Sequence, residues 1–351
     1  MKIICFGAGA IGSYIGGSLQ SAGHDVTFIE RKESLPRIRS NGIQIEDVKG
    51  NIHKIESPHV TDDAIEAVKE CQFDAAVIAV KSFDTERLMK SLIEVIGLLP
   101  PFISLQNGVE NEALLASYLG KAKVVPASVC TAISRKRDGL IKVEKLRGIG
   151  ITAGHFLSED IYKAFRSANL KPALIADGTA MKWSKMISNL LANASSAILD
   201  MTPAEIFSDP DGFRLEIQQI REAVRVMDAY AIPVINIPGI PVKTLVWAVQ
   251  NLPEKLLRPV LINAVGGGRG EKMPSFYIDL HSGQPQNEVE YLNGAVVRFA
   301  REKAIHVPVN SGYYRILTAL VKKELPLETY RHQPRKLAQD IFANESFEPL
   351  T

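Results

Sequence analysis

The chain has 351 residues, which at roughly 150 per domain suggests about two domains. Charged residues make up 23% and hydrophobic residues 46%, ordinary globular usage that excludes a disordered tail, a collagen-like chain and a bare coiled coil. The net charge of +2, from 41 basic and 39 acidic side chains, gives no whole-molecule pull toward nucleic acid or an anionic membrane.

No apolar run approaches the roughly 18 to 20 residues needed to span a bilayer. The N-terminal MKIICFGAGAIGSYIGG is apolar, but Gly7, Gly9 and Gly12 interrupt it and no small-residue cleavage site follows, so it reads as a buried strand entering a turn. Cys5, Cys71 and Cys130 are odd in number and widely spaced, which fits reduced thiols of a cytoplasmic protein. The seven histidines show no metal-ligand spacing, so no metal site is expected.

In chain order, Lys2–Phe6 reads as a strand, Ile11–Ser21 as a helix and Asp25–Ile29 as the next strand. Ile43–Ile45 and Ile52–Ile55 alternate like a small hairpin. Thr61 and Asp62 are candidate caps for a helix over Ala64–Glu70. Ala75–Val80 is a continuous apolar strand, followed by a helix from Thr85 to Ile96. Phe102–Leu105, Lys123–Val129 and Gly148–Thr152 complete the strands, with a helix opening after Asn107-Gly108. This alternation predicts a mostly parallel, doubly wound sheet. Beyond the ADG turn at Ala176–Gly178 the pattern becomes helical, over Ala180–Leu199, Gly212–Tyr230, Val242–Gln250, Asn287–Lys303 and Tyr313–Lys323. Gly266–Gly270 reads as a flexible loop and the stretch after Glu328 as a polar surface tail. The expected fold is α/β plus all-α: a Rossmann-type domain over 1–177 and a helical domain over 178–351.

Gly7-Ala8-Gly9-Ala10-Ile11-Gly12 is a GxGxxG turn between a strand and a helix. The first glycine allows a tight turn, the second lets a pyrophosphate approach the backbone, and the third lets helix and strand pack closely. The helix N-terminus then offers N–H groups to phosphate. Glu30, 18 positions after Gly12, can accept from the ribose 2′-OH of NAD. Arg31 and Lys32 can instead hold the 2′-phosphate of NADP. These three residues alone leave the choice open.

Lys81 and Asn107 follow apolar strands, at the carboxyl edge where such sheets bind ligands. Lys185, Asn189 and Asn193 stand at i, i+4 and i+8, a polar stripe if one helix carries them all. A lysine there can donate a proton, and the asparagines can bind a carboxylate or hydroxyl. Lys182 lies on nearly the same face, so spacing does not choose between the lysines. Glu288 and Glu290, two apart, point in different directions on a helix.

Together these features resemble the ketopantoate reductase (2-dehydropantoate 2-reductase) family over nearly the whole chain. The matching segments are Gly7–Gly12, AVKSFDT with Lys81, Gln106-Asn107-Gly108, and Trp183, Lys185, Asn189 and Asn193. Pro274-Ser275, Asp279, Glu288 and Leu292-Asn293-Gly294 complete the set. The resemblance implies NADPH-dependent reduction of 2-dehydropantoate to pantoate, a step toward pantothenate and coenzyme A. It implies Lys185 as general acid and Glu288 as a residue that shapes the site and contacts cofactor or substrate. Asn189, Asn193 and Ser275 would hold substrate, and Lys81 and Asn107 would lie near nicotinamide ribose and substrate. Arg31 matches a basic family position and favours NADP.

Three departures bear on the substrate. No asparagine occurs around Thr202-Pro203-Ala204, Lys272 stands where some members carry asparagine, and the Ser275–Glu288 spacing is one residue longer. Extra length falls at 232–272 and in the tail. The alternatives are a related 2-keto acid or opine-type dehydrogenase, and a dinucleotide sensor without catalysis. The expected partner is a small 2-keto acid, with no nucleic acid or membrane, and the helical region can offer a homodimer face.

Overall fold

The structure, a computed structural model, describes residues 1–136, 139–269 and 273–343. It divides into two compact units, Met1–Lys182 with Ile237–Ile240, and Trp183–Asn236 with Pro241–Thr351.

The first unit begins β1 (Lys2–Phe6), α1 (Ala10–Ser21), β2 (Asp25–Ile29), α2 (Leu35–Asn41), β3 (Ile43–Glu46), β4 (Ile52–Ile55), β5 (His59–Thr61) and α3 (Ala64–Glu70). It continues with β6 (Ala75–Ile78), α4 (Thr85–Ser91), β7 (Phe102–Ser104), α5 (Asn111–Leu119) and β8 (Val124–Val129). β9 (Ala132–Arg135), β10 (Ile141–Lys145), β11 (Ile149–Thr152), α6 (Ser158–Ser167) and β12 (Pro172–Ile175) follow. Eight strands form one sheet in the order β12-β11-β8-β7-β6-β1-β2-β5. The pairs from β8 to β5 are parallel, and β11 joins β8 antiparallel.

Alternation along β1 explains why both faces are covered. Ile3 and Cys5 enter one core with α1's Ile15 and Leu19 and α6's Phe165. Ile4 and Phe6 enter another with Val68, Met89 and Leu115 of α3, α4 and α5. Such two-sided burial is what continuous apolar strands require. Burial, and secondarily the nearby Glu30 charge, raises the Cys5 thiol to about 12.

The expected hairpin is present as β3 and β4, but it belongs to a second sheet ordered β4-β3-β10-β9. Two other expectations are corrected in this unit. The cap of α3 is Asp63, which accepts from Glu66 N–H at 2.8 Å, while Thr61 Oγ1 instead accepts from Asp63 N–H. The helix expected over Thr85–Ile96 stops at Ser91 and resumes as a 3-10 turn over Ile93–Val95. That turn buries Val95 in the same core as Leu92.

Helix α7 (Gly178–Leu190) passes from the first unit into the second. The second unit then carries α8 (Asn193–Leu199), α9 (Pro203–Ser208), α10 (Pro210–Ala229), α11 (Val242–Asn251) and α12 (Glu254–Arg269). α13 (Ser275–His281), α14 (Asn293–Glu302), α15 (Pro308–Val321) and α16 (Pro334–Ala343) complete it. Trp183, 1% exposed, packs edge-on against Phe299, and Tyr230 also packs edge-on against that ring. The flexible loop expected at Gly266–Gly270 is helical to Arg269, whereas Gly270 and Lys272 lie outside the described residues. Leu257 and Leu261 are buried and anchor α12, and each residue added to an established helix gains one hydrogen bond. The polar tail also contains a helix, α16, which buries Leu337 and Ile341. No described helix is long and apolar enough to cross a membrane.

Candidate functional site

In the first unit the glycine turn has the geometry its sequence requires. Gly7 has φ of +94°, a conformation that L side chains rarely adopt. A Cβ on Gly12 would lie 1.8 Å from Gly7 O, so only glycine lets α1 start so close to β1. A Cβ on Gly9 would meet nothing within 4 Å, which leaves open space over the backbone. No side chain caps Gly9, and the first turn of α1 holds no acidic residue. An uncapped helix start beside open backbone suits an anion.

Glu30 braces this turn. Its Oε2 accepts from Ala8 N–H at 2.8 Å, and its Oε1 accepts from Arg31 N–H at 2.9 Å. The Arg31 side chain pairs with Asp84 at 3.0 Å, and Arg87 holds the other Asp84 oxygen at 2.5 Å. Arg31 is 66% exposed, so its pair is worth little and a competing anion can displace it. Arg135 on β9 feels both Arg37 and Glu30: desolvation and then the Arg37 charge lower its pKa, and Glu30 opposes them.

Lys81 and Asn107 stand on two loops that are stitched together. Ser82 Oγ donates to Asn107 O at 3.0 Å, and Gln106 Nε2 donates to Val80 O at 2.9 Å. Asn111 Nδ2 bridges Asn107 O at 2.6 Å and Ser82 Oγ at 3.1 Å. The sheet edge therefore presents both residues on fixed backbone.

The two lysines of α7 differ sharply. Lys182 is 4% exposed, and its Nζ donates to Ser104 O at 3.1 Å and Gln106 O at 2.8 Å and pairs with Glu112 at 2.7 Å. An ammonium has three donors, and all three are used inside the first unit. Lys185 is half-buried, and its Nζ donates to Asn189 Oδ1 at 3.0 Å, one turn along. Spacing left this pair unresolved; hydrogen bonding separates them.

The stripe of Lys185, Asn189 and Asn193 is corrected at its third member. α7 ends at Leu190, Ala192 adopts a left-handed conformation with φ of 51°, and Asn193 opens α8. Asn193 Oδ1 accepts from Phe276 N–H at 3.1 Å and from Ser275 Oγ at 3.4 Å. Phe276 O in turn accepts from Asn287 Nδ2 at 3.3 Å. Asn287 also caps the 3-10 turn Glu288–Tyr291 by accepting from Val289 N–H. The structure thus gathers Asn193, Ser275 and the Asn287 cap of the Glu288 turn around the start of α13, on the N–H and carbonyl of Phe276. Glu288 is 5% exposed, whereas Glu290 turns to Arg298 and Tyr314. Sequence reading missed Asn287, although an asparagine directly before an acidic turn is a capping signal.

This strand–turn–helix on a parallel sheet defines a Rossmann-type dinucleotide-binding protein, extended here by a helical unit with its own polar cluster. The family model for ketopantoate reductase PanE/ApbA matches residues 3–155, and the model for its C-terminal part matches 177–321. The chain belongs to the ketopantoate reductase family. It is 26% identical over 317 residues to a 2-dehydropantoate 2-reductase of Halobacterium salinarum, covering 88% of this chain and 95% of the relative. It is 27% identical over 336 residues to one of Pyrococcus abyssi, covering 93% and 99%. Among solved structures, a PanE/ApbA family ketopantoate reductase from Ralstonia eutropha JMP134 has a TM-score of 0.78 at 24% identity, covering 92% of this chain and 99% of that one. D-mandelate dehydrogenase, solved with NADH and anilino(oxo)acetate, shares the fold with a TM-score of 0.75 at 19% identity and the same coverage.

Proposed function

We propose that the protein reduces 2-dehydropantoate to pantoate with NADPH, a step in pantothenate and coenzyme A formation, and that Lys185 supplies the proton. The bound nicotinamide would supply hydride to the ketone carbon. Lys185 would protonate the oxygen of that carbonyl, so the alkoxide is neutralised as it forms. Asn189 orients the Lys185 ammonium through the 3.0 Å bond to its Oδ1. Asn193, Ser275 and Glu288 fit a small polar acid, because Asn193, Ser275 and the capped turn that carries Glu288 meet at the start of α13. In this reading Gly7–Gly12 cradle the pyrophosphate, and Lys81 and Asn107 serve the nicotinamide ribose and substrate.

NADP is favoured over NAD by charge. Glu30 is engaged by two backbone N–H groups, and Arg135 feels both Glu30 and Arg37. Arg31 and Lys32, which follow Glu30 in the chain, supply further cations suited to a 2′-phosphate, Arg31 by leaving its exposed pair with Asp84.

The observation that carries the proton assignment is the contrast within α7. Lys182 is buried with all its donors used, whereas Lys185 stands half-exposed beside Asn189. Lys185→Ala is expected to bind NADPH normally and to lose about 100-fold or more in turnover with ketopantoate. Full turnover in that variant would remove Lys185 as the acid. A second reading, reduction of another 2-keto acid, draws on the longer Ser275–Glu288 spacing. A panel of 2-keto acids with NADPH separates the two.

A further inference from the structure

The break between α7 and α8 is not made by a helix-breaking residue. Leu190, Leu191 and Ala192 include no glycine or proline, and alanine is the best helix former. Left-handed backbone is unfavourable for any residue with a Cβ. Left to its own sequence, α7 would run on through Ala192 and carry Asn193 round to the Lys185 face.

What holds the break is a buried carboxylate on α10. Glu216 is 0% exposed, and its Oε2 accepts from Ala192 N–H at 2.5 Å. The same oxygen accepts from Gln219 Nε2 at 2.7 Å, and Oε1 accepts from Tyr313 OH at 3.2 Å. Gln219, also fully buried, donates to Leu190 O at 3.2 Å, so both sides of the break are tied to α10. Gln219 Oε1 receives Asn293 Nδ2 at 3.4 Å, which links the start of α14, just after the Glu288 turn, to the same spine. A carboxylate so deeply buried is costly to desolvate, and a core of apolar side chains would serve stability as well. Its placement on a backbone N–H at the break points to a use beyond packing.

We infer that Glu216 is a positioning residue: by holding Ala192 in its left-handed turn it sets Asn193 toward α13 and away from the Lys185–Asn189 face. The inference rests on the assignment of Lys185 and Asn193 to the substrate. Without the brace, Asn193 leaves Ser275 and Phe276, and substrate loses contacts that cofactor does not share. The loss therefore falls on the keto acid and leaves NADPH binding unchanged.

The test uses full-length Glu216→Ala and Glu216→Gln, with Ile220→Val as a control. Ile220 is buried on the same helix and takes no part in these bonds. Glu216→Ala is expected to raise the ketopantoate KM or lower kcat by about tenfold to a hundredfold while the NADPH KM stays within about twofold. Glu216→Gln, whose amide oxygen can still accept from Ala192, should recover much of that loss. It also keeps the test open if the alanine variant fails to fold. Hydrogen exchange in peptides covering 188–195 should quicken in Glu216→Ala and stay slow in Ile220→Val. Unchanged exchange at Ala192 overturns the brace. So does a kinetic loss that Ile220→Val reproduces, or kinetics within twofold of wild type. Absence of turnover by the wild-type protein with any 2-keto acid would count against the proposed function alone, because the exchange result still decides the brace.

Discussion

Replacing Lys182 by methionine keeps the apolar stem and removes the ammonium. Ser104 O and Gln106 O then lose their donor, and Glu112 loses a partner at 2.7 Å. Breaking a buried ion pair from one side costs about 3 to 5 kcal/mol. Glu112 is 17% exposed and keeps Ser104 Oγ as a donor at 2.6 Å, so the lower end, about 3 kcal/mol, is expected. For a unit of this size each kcal/mol moves Tm by roughly 2 to 4 °C, giving a fall of roughly 6 to 12 °C by thermal melting. Lys182→Met with Glu112→Leu should recover part of the loss, since no charge is then left unpaired. Turnover per folded molecule should stay within about threefold of wild type, because a structural lysine takes no part in proton transfer. A melting point within about 1 °C of wild type refutes the structural role of Lys182. Loss of turnover with the fold intact would transfer the acid's role from Lys185 to Lys182.

Gly12→Ala forces a Cβ to within 1.8 Å of Gly7 O, so the turn must shift. NADPH affinity, read by nicotinamide fluorescence, should fall roughly tenfold to a hundredfold, and affinity within threefold of wild type would contradict the cradle. Burial raises the Glu222 carboxyl above its ordinary 4.5, against the bonds from Asn310 and Val309. The folded state therefore holds that proton to higher pH, so its stabilisation is present below pH 4.5 and is lost as pH rises through the folded value. The stability difference between wild type and Glu222→Gln should fall with rising pH above that point, and a rise would contradict the burial. A thiol reagent at mild alkaline pH should label Cys71 first, because Cys5 is buried with its pKa at about 12 and Cys130 is buried. Labelling of Cys5 in the native protein as fast as of Cys71 would contradict its place in the sheet core.

Much of the first unit was legible because its signals are local. β1, the glycine turn and α1 follow one another within 21 residues, and each glycine has a separate steric reason. The apolar run from Ala75 likewise reads directly as a strand buried on both faces. The second sheet was only half legible, because β3 and β4 are neighbours in sequence while β9 and β10 join them from about 90 residues away. Lys182 and Lys185 were inseparable because three residues on a helix turn through only about 300°, leaving both on adjoining faces. Their difference lies in Ser104, Gln106 and Glu112, which sequence spacing does not bring near. The break at Ala192 was hidden for the same reason: its cause is Glu216, 24 residues on. The motif residues themselves were readable, and their directions were set by tertiary bonds.

The most direct test of the account is steady-state nicotinamide absorbance with ketopantoate, comparing wild type and Lys185→Ala, each with NADPH and with NADH. The expected result is turnover by wild type with a lower KM for NADPH than for NADH, and loss of turnover in Lys185→Ala with NADPH binding retained. Wild-type protein that binds NADPH but leaves it unoxidised by ketopantoate, or a Lys185→Ala variant as active as wild type, would contradict it.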